Sequence, residues 1–196
     1  MRLGLFGGSF DPVHLGHLLV AQAAMEELGL DRLYFIPAAQ SPFKPENEPA
    51  PAAERLRLLR LALVGQMKFE VDEQEIKRGG TSYSIDTLRD YTRRFPGAEL
   101  YYLIGADNVA SLPGWREPDE LARLAEVVAI PRPVWSSGFS RSGEPSREGR
   151  DGTPNFPPPF RGRMLKGFPF GVSSSQIRAR VKTGLPIDQL VPPAVA

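Results

Sequence analysis

Short apolar runs alternate with amphipathic stretches along most of the chain. Leu3, Leu5 and Phe6 belong to a run that ends at Gly7-Gly8, which predicts a buried strand over 3–6. Leu18, Leu19, Ala21, Ala24, Met25 and Leu28 then recur at helical spacing, and Gly29 stands where a C-terminal cap belongs. A second buried strand is predicted over 33–36, stopped by Pro37, and a Pro-rich loop over 40–51. The next helix, 52–64, turns Leu56, Leu59 and Leu63 inward and leaves Arg55, Arg57 and Arg60 off that face. Residues 69–72 alternate like a half-exposed strand, and 84–94 read as a helix with Ile85, Leu88 and Tyr91 inward. A strand over 100–104, a short helix over 119–125 and a strand over 127–130 follow. This alternation predicts an α/β fold, a parallel sheet with helices on both faces. Ligands of such sheets bind outside the carboxyl ends of the strands.

One segment breaks the pattern. Between 136 and 162, Ser, Gly, Pro and Arg supply 19 of 27 residues, and no Val, Ile, Leu or Met occurs. It buries too little apolar surface to offset its ordering entropy, so it is predicted to be a mobile surface insertion. From 132 to 166 the basic residues outnumber the acidic by seven to three, which leaves a phosphate-steering flap as a second reading.

Composition narrows the class. The chain has 196 residues, enough for a single domain over 1–196. Its 41% hydrophobic content argues against wholesale disorder. The net charge of +1 gives a nucleic-acid partner no support. There is no cysteine, which excludes disulfides, thiolate nucleophiles and thiolate metal sites. The first apolar run is too short for a secretory signal, and no later stretch is long enough to cross a bilayer. The expectation is a cytoplasmic protein without a membrane partner, with homo-oligomerisation left open.

The chemistry gathers in two places. Gly7 to His17 reads Gly-Gly-Ser-Phe-Asp-Pro-Val-His-Leu-Gly-His, directly after a strand and at the start of a helix. Glycines let backbone N–H groups turn toward a ligand, and a helix N-terminus favours an anion. His14 and His17 project to one side of a helical turn and can both donate to one phosphate. The same residues also fit an ordinary strand–turn–helix with incidental histidines, or half of a metal site. They are the only histidines, and no carboxylate is placed on the helix beside them, so no protein metal ligand is assigned. The second place is Ser173-Ser174-Ser175-Gln176-Ile177-Arg178. Ser173 with Gln176 is a capping box that starts a helix. Its hydroxyls, with Arg178 one turn in, can form a second anion site; alone they also fit a plain, well-capped helix.

The first segment resembles the HxGH signature of the α/β nucleotidyltransferases, and the second, with Ser175 at the usual Thr, resembles their (I/V)SSTxIR signature. Three segments between them resemble bacterial nicotinate-nucleotide adenylyltransferases: Thr81-Ser82-Tyr83-Ser84, Ile104-Gly105-Ala106-Asp107 and Leu112-Pro113-Gly114-Trp115. The resemblance runs from residue 1 to about 192. It implies a Rossmann-like nucleotidyltransferase fold. It also implies an enzyme of NAD biosynthesis that joins AMP from ATP to nicotinate mononucleotide, giving nicotinate adenine dinucleotide and pyrophosphate, with Mg²⁺ arriving on ATP.

By the same resemblance His17 serves the α-phosphate in the transition state and His14 the phosphate chain. ATP is held by Gly8, Ser9, Phe10, Lys44, Gly105, Asp107, Arg132, Ser173, Ser175 and Arg178. The nicotinate nucleotide is held by Tyr83, Ser84, Trp115 and Arg116, with the indole stacked on the ring. The chain departs from the family at Phe43, where a histidine is usual, and at Pro133-Val134, where a glycine follows the arginine. It departs again in the 136–162 insertion and at Ala196, where family members continue into a short helix. A sister enzyme with nicotinamide mononucleotide or phosphopantetheine as acceptor shares both phosphate signatures, and a non-catalytic nucleotide sensor is the rival of another class.

Overall fold

Six parallel strands form one sheet in the order β3-β2-β1-β4-β5-β6. The computed structural model describes residues 1–42, 49–131, 155–167 and 171–196. The strands are β1 (Arg2–Gly8), β2 (Arg32–Pro37), β3 (Phe69–Val71), β4 (Glu99–Gly105), β5 (Glu126–Ile130) and β6 (Gly162–Met164). The helices are α1 (Leu15–Leu28), α2 (Ala52–Ala62), α3 (Gln74–Arg78), α4 (Ser84–Arg94), α5 (Pro118–Leu124) and α6 (Ser174–Lys182). A 3-10 helix, Ala106–Gly114, follows β4.

Strands that alternate inward residues on two faces need cover on both, and the helices supply it. On one face Phe6, Leu33, Phe35 and Leu103 meet Ala21, Ala24, Met25 and Leu28 of α1 and Leu59 and Ala62 of α2. On the other face Leu5, Ile36, Tyr102 and Ile104 meet Ile85, Leu88 and Tyr91 of α4 and Leu121 of α5. The expected α/β sheet with helices on both faces is therefore the observed one. Gly29 caps α1 in the left-handed conformation (φ 59°), its N–H donating to Met25 O, as its position predicts.

Strand order reverses between β1 and β4, both at the centre of the sheet. There the chains leaving β1 and β4 diverge to opposite faces and open a crevice at the carboxyl ends. The Gly7–His17 segment leaves β1 at this crevice, and Gly105 and Asp107 leave β4 beside it.

Three elements were not foreseen, and one side chain was misplaced. The 3-10 helix carries Pro113 and has no helical apolar period to announce it, α3 is five residues long, and β6 starts at Gly162, the last residue of the segment expected as a loop. In the last, Phe160 is buried and Gly162 lies so close to β5 that a Cβ there would stand 2.5 Å from Val127 O. The glycine marks a close backbone approach rather than a turn. Of the insertion, 136–154 lies outside the described residues. Arg55, expected off the apolar face of α2, is only 2% exposed. No described helix is long and apolar enough to cross a membrane.

Candidate active site

The segment after β1 packs tightly around the two histidines. Phe10 has a left-handed backbone (φ 46°), and its side chain is only 1% exposed. Its ring meets Phe6 and Phe35 at 5.5 Å and His17 at 4.9 Å. A non-glycine residue in that conformation costs on the order of 1–3 kcal/mol and persists where packing over-determines it, commonly at functional sites. His14 is the N-cap of α1, and its ring stacks on His17 at 3.7 Å. A Cβ at Gly16 would stand 3.0 Å from the His14 ring, so a larger residue there would press on the ring.

The hydrogen bonding sets the protons. The His14 N–H donates to His17 Nδ1 at 3.2 Å. With Nδ1 accepting, neutral His17 carries its proton on Nε2 and can donate it to an oxyanion. Burial pushes the His14 imidazole down to about 4. Burial, and secondarily the neighbouring His14, holds His17 well below the usual histidine range. Both rings are thus neutral donors near pH 7 in the free protein. His14, 5% exposed, leaves Nδ1 without a partner among the described residues, an unmet polar atom that suits a ligand.

Helix α6 docks on the same loop. Ser173 caps it, accepting from the Gln176 N–H at 3.3 Å, and the Gln176 side chain accepts from the Ser173 N–H at 2.9 Å. This is the predicted capping box. Ser174 Oγ donates to Pro12 O at 3.0 Å, and Arg178 Nη1 donates to Asp11 O at 2.5 Å. The second signature is thereby fastened to the first. Ser175 and Arg178 remain exposed, 3.4 Å apart, at the rim of the crevice.

Two pockets flank the loop. One, an open cleft, is lined by Pro42, Tyr83, Ser84, Gly114, Trp115 and Arg116. Trp115 stands edge-on to Tyr102 at 6.3 Å, and its indole N–H donates to Ser111 Oγ at 3.1 Å. The Arg116 guanidinium lies over the Tyr83 ring at 4.8 Å. Ser84 Oγ and Tyr102 OH are 2.7 Å apart, tying the start of α4 to β4. The other, a shallow pocket, is lined by Gly16, Leu19, Val20, Ile130, Pro131, Leu165 and Gly167.

The comparisons with known proteins agree with this layout. Residues 5–180 match the cytidylyltransferase-like family. A relative from Opitutus terrae, named a probable nicotinate-nucleotide adenylyltransferase, is 40% identical over 98% of this chain and 91% of its own length. Another of that name, from Dehalococcoides mccartyi, is 38% identical over 100% of this chain and 93% of its own. The chain belongs to the nicotinate-nucleotide adenylyltransferases. The fold likeness extends to the Plasmodium falciparum nicotinic acid mononucleotide adenylyltransferase solved with NaAD. Its TM-score is 0.72 at 15% identity, over 99% of this chain and 92% of that one.

Within this adenylyltransferase the structure gathers His14, His17, Gly8, Phe10, Ser175 and Arg178 at one end of the sheet. Tyr83, Ser84, Trp115 and Arg116 share the neighbouring cleft. Ser9 is exposed, and its carbonyl accepts from Arg55 Nη1 at 2.7 Å. The hydroxyl of Ser173 is engaged in its cap. Lys44, Arg132 and Phe43 lie outside the described residues. The N-terminal donors of α1 are fewer than a bare helix start offers, because the Leu15 N–H donates to Leu190 O at 3.1 Å. Sequence reasoning missed Arg55, Ser174 and the buried Glu75, whose carboxylate accepts from Thr87 Oγ1 at 2.6 Å and braces α3 on α4. Burial pushes that carboxyl up. Glutamate in a five-residue helix carries no sequence signal of its burial.

Proposed function

We propose that this chain transfers the adenylyl group of ATP to nicotinate mononucleotide, giving nicotinate adenine dinucleotide and pyrophosphate. The observation that carries the reading is the stacked pair of neutral histidines at the strand-order reversal, with the second signature fastened to the same loop. Named relatives that match nearly the whole chain supply the acceptor.

The attacking group is a phosphate oxygen of nicotinate mononucleotide. It is ionised near neutral pH, since a phosphomonoester's second pKa is about 6, so no general base is needed. It forms a bond to the α-phosphorus as the bond to the bridging oxygen of pyrophosphate breaks, and that oxygen leaves with the electron pair. The protein aligns the two nucleotides and stabilises charge on the transferred group. His17 Nε2 donates to an α-phosphate oxygen, and His14 and the Gly8 to Phe10 amides cradle the phosphate chain. Ser175 and Arg178 take the β- and γ-phosphates at the start of α6, which Ser173 caps, and Lys44 is assigned to the same phosphates from its sequence alone. Mg²⁺ enters bound to ATP, with phosphate oxygens and water as its ligands.

The nicotinate ring lies on Trp115. Its carboxylate faces the first amides of α4, at Ser84 and Ile85, which donate to no described group. The test is pyrophosphate release with ATP, Mg²⁺ and single acceptors: nicotinate mononucleotide, nicotinamide mononucleotide and phosphopantetheine. Release with the first far above the other two is expected. Equal or greater release with another acceptor would reassign the substrate, and release with none would favour a nucleotide sensor.

A further inference from the structure

A phosphate cradle made of backbone amides works only if its peptides point the right way, and one buried side chain controls that here. Arg55 on α2 is among the largest fully buried side chains of the protein. Its Nη1 donates to Ser9 O at 2.7 Å, and its Nε donates to Ala50 O at 2.9 Å. Asp11, two residues beyond Ser9, is the acidic group that acts on it electrostatically. The guanidinium keeps its charge even when desolvated.

The consequence follows from peptide planarity. Ser9 C=O and Phe10 N–H belong to one trans peptide, so they point in opposite directions. With the carbonyl pinned to the guanidinium, the Phe10 N–H faces away from α2. Among the described residues it donates to no group. Phe10 packs edge-on to His17, so this donor belongs to the same small region as the imidazole. A cationic donor on the carbonyl also polarises the peptide and strengthens its N–H as a donor.

We infer that Arg55 is a positioning residue for phosphate binding: it fixes the Ser9–Phe10 peptide so that the Phe10 N–H faces the phosphates beside His17. This rests on the adenylyl-transfer reading above. Arg55→Met is expected to lower kcat roughly tenfold or more and to raise the KM for ATP, with the KM for nicotinate mononucleotide unchanged. Arg55→Lys is expected to shift the same parameters in the same direction, because a single ammonium cannot hold both carbonyls in a planar fork. A lowered melting temperature with kcat and ATP KM intact would make the role merely structural and overturn the inference. In the wild-type protein, the Phe10 amide resonance is expected to shift when tripolyphosphate is added. An unmoved resonance would overturn the inference even if neither variant folds. Wild-type protein that releases no pyrophosphate with any acceptor would instead overturn the adenylyl-transfer reading.

Discussion

The phosphate loop and the Trp115 cleft are neighbours built on different terms. The loop is tight: Phe10 is buried in a left-handed backbone, the two imidazoles stack, and Gly16 lies close against the His14 ring. Its donors are backbone amides and neutral rings, held from beneath by Arg55 and from the side by α6. The cleft is open and made of side chains, with Trp115 half-buried and Arg116 lying over Tyr83. Rigid donors aimed at developing charge act on the transition state. An open aromatic platform binds ground state and transition state alike, and so acts on affinity. Variants in the loop should therefore change kcat, and variants in the cleft should change the acceptor's KM.

The largest expected effect breaks the loop. His17→Ala removes one donor to the transferred phosphate and should lower kcat on the order of 10²–10³-fold, with the KM for ATP changed far less. Steady-state kinetics with both substrates varied checks this, and unchanged turnover would remove His17 from the mechanism.

Acid should separate the two regions next. The folded-state pKa of His14, about 4, lies below its usual value of 6.5. The unfolded chain therefore binds the proton more readily. The stability linked to this group is complete above pH 6.5 and is lost as pH falls toward 4. The full loss is about 3 kcal/mol for this group. His17 contributes in the same direction. Denaturant titrations from pH 7 to pH 4 should show a smaller loss in His14→Gln than in the wild type, whereas Trp115→Ala should follow the wild-type curve.

Trp115→Ala sharpens the cleft's side of the comparison. Loss of a stacking platform worth about 1–3 kcal/mol should raise the KM for nicotinate mononucleotide roughly tenfold, with ATP barely affected. An equal rise for ATP would argue against stacking. The smallest effect belongs to Ser174→Ala, which removes the hydroxyl donor to Pro12 O. Thermal or chemical unfolding should register about 1 kcal/mol. A modest rise in ATP KM should accompany it, because α6 and its Arg178 are then less firmly docked.

Much of this was legible in the residues. Strand and helix alternation is written in the apolar spacing, because two periods, two and 3.6, mark the two kinds of element. The helix α4 begins and ends where its periodicity predicts, and Ser173 with Gln176 announces α6. The phosphate loop is legible because both histidines of the chain stand in one glycine-rich segment directly after a strand. What stayed hidden depends on partners distant in sequence. Arg55 reads as an outward arginine on a helical projection, and only the Ser9 carbonyl, brought to it by the fold, explains its burial. Ser174 looks like one serine among three until Pro12 O lies against it. Strand β6 is hidden because its Gly162 serves close packing against β5, and composition alone reads such a residue as loop.

The central claim is a single displacement at the α-phosphorus, aligned by the loop with no covalent enzyme intermediate. The stereochemistry at that phosphorus tests it most directly. With ATP made chiral by sulfur at the α-position, and nicotinate mononucleotide as acceptor, the dinucleotide product should show inversion of configuration. Retention would mean two displacements and an adenylylated side chain, and would contradict the mechanism.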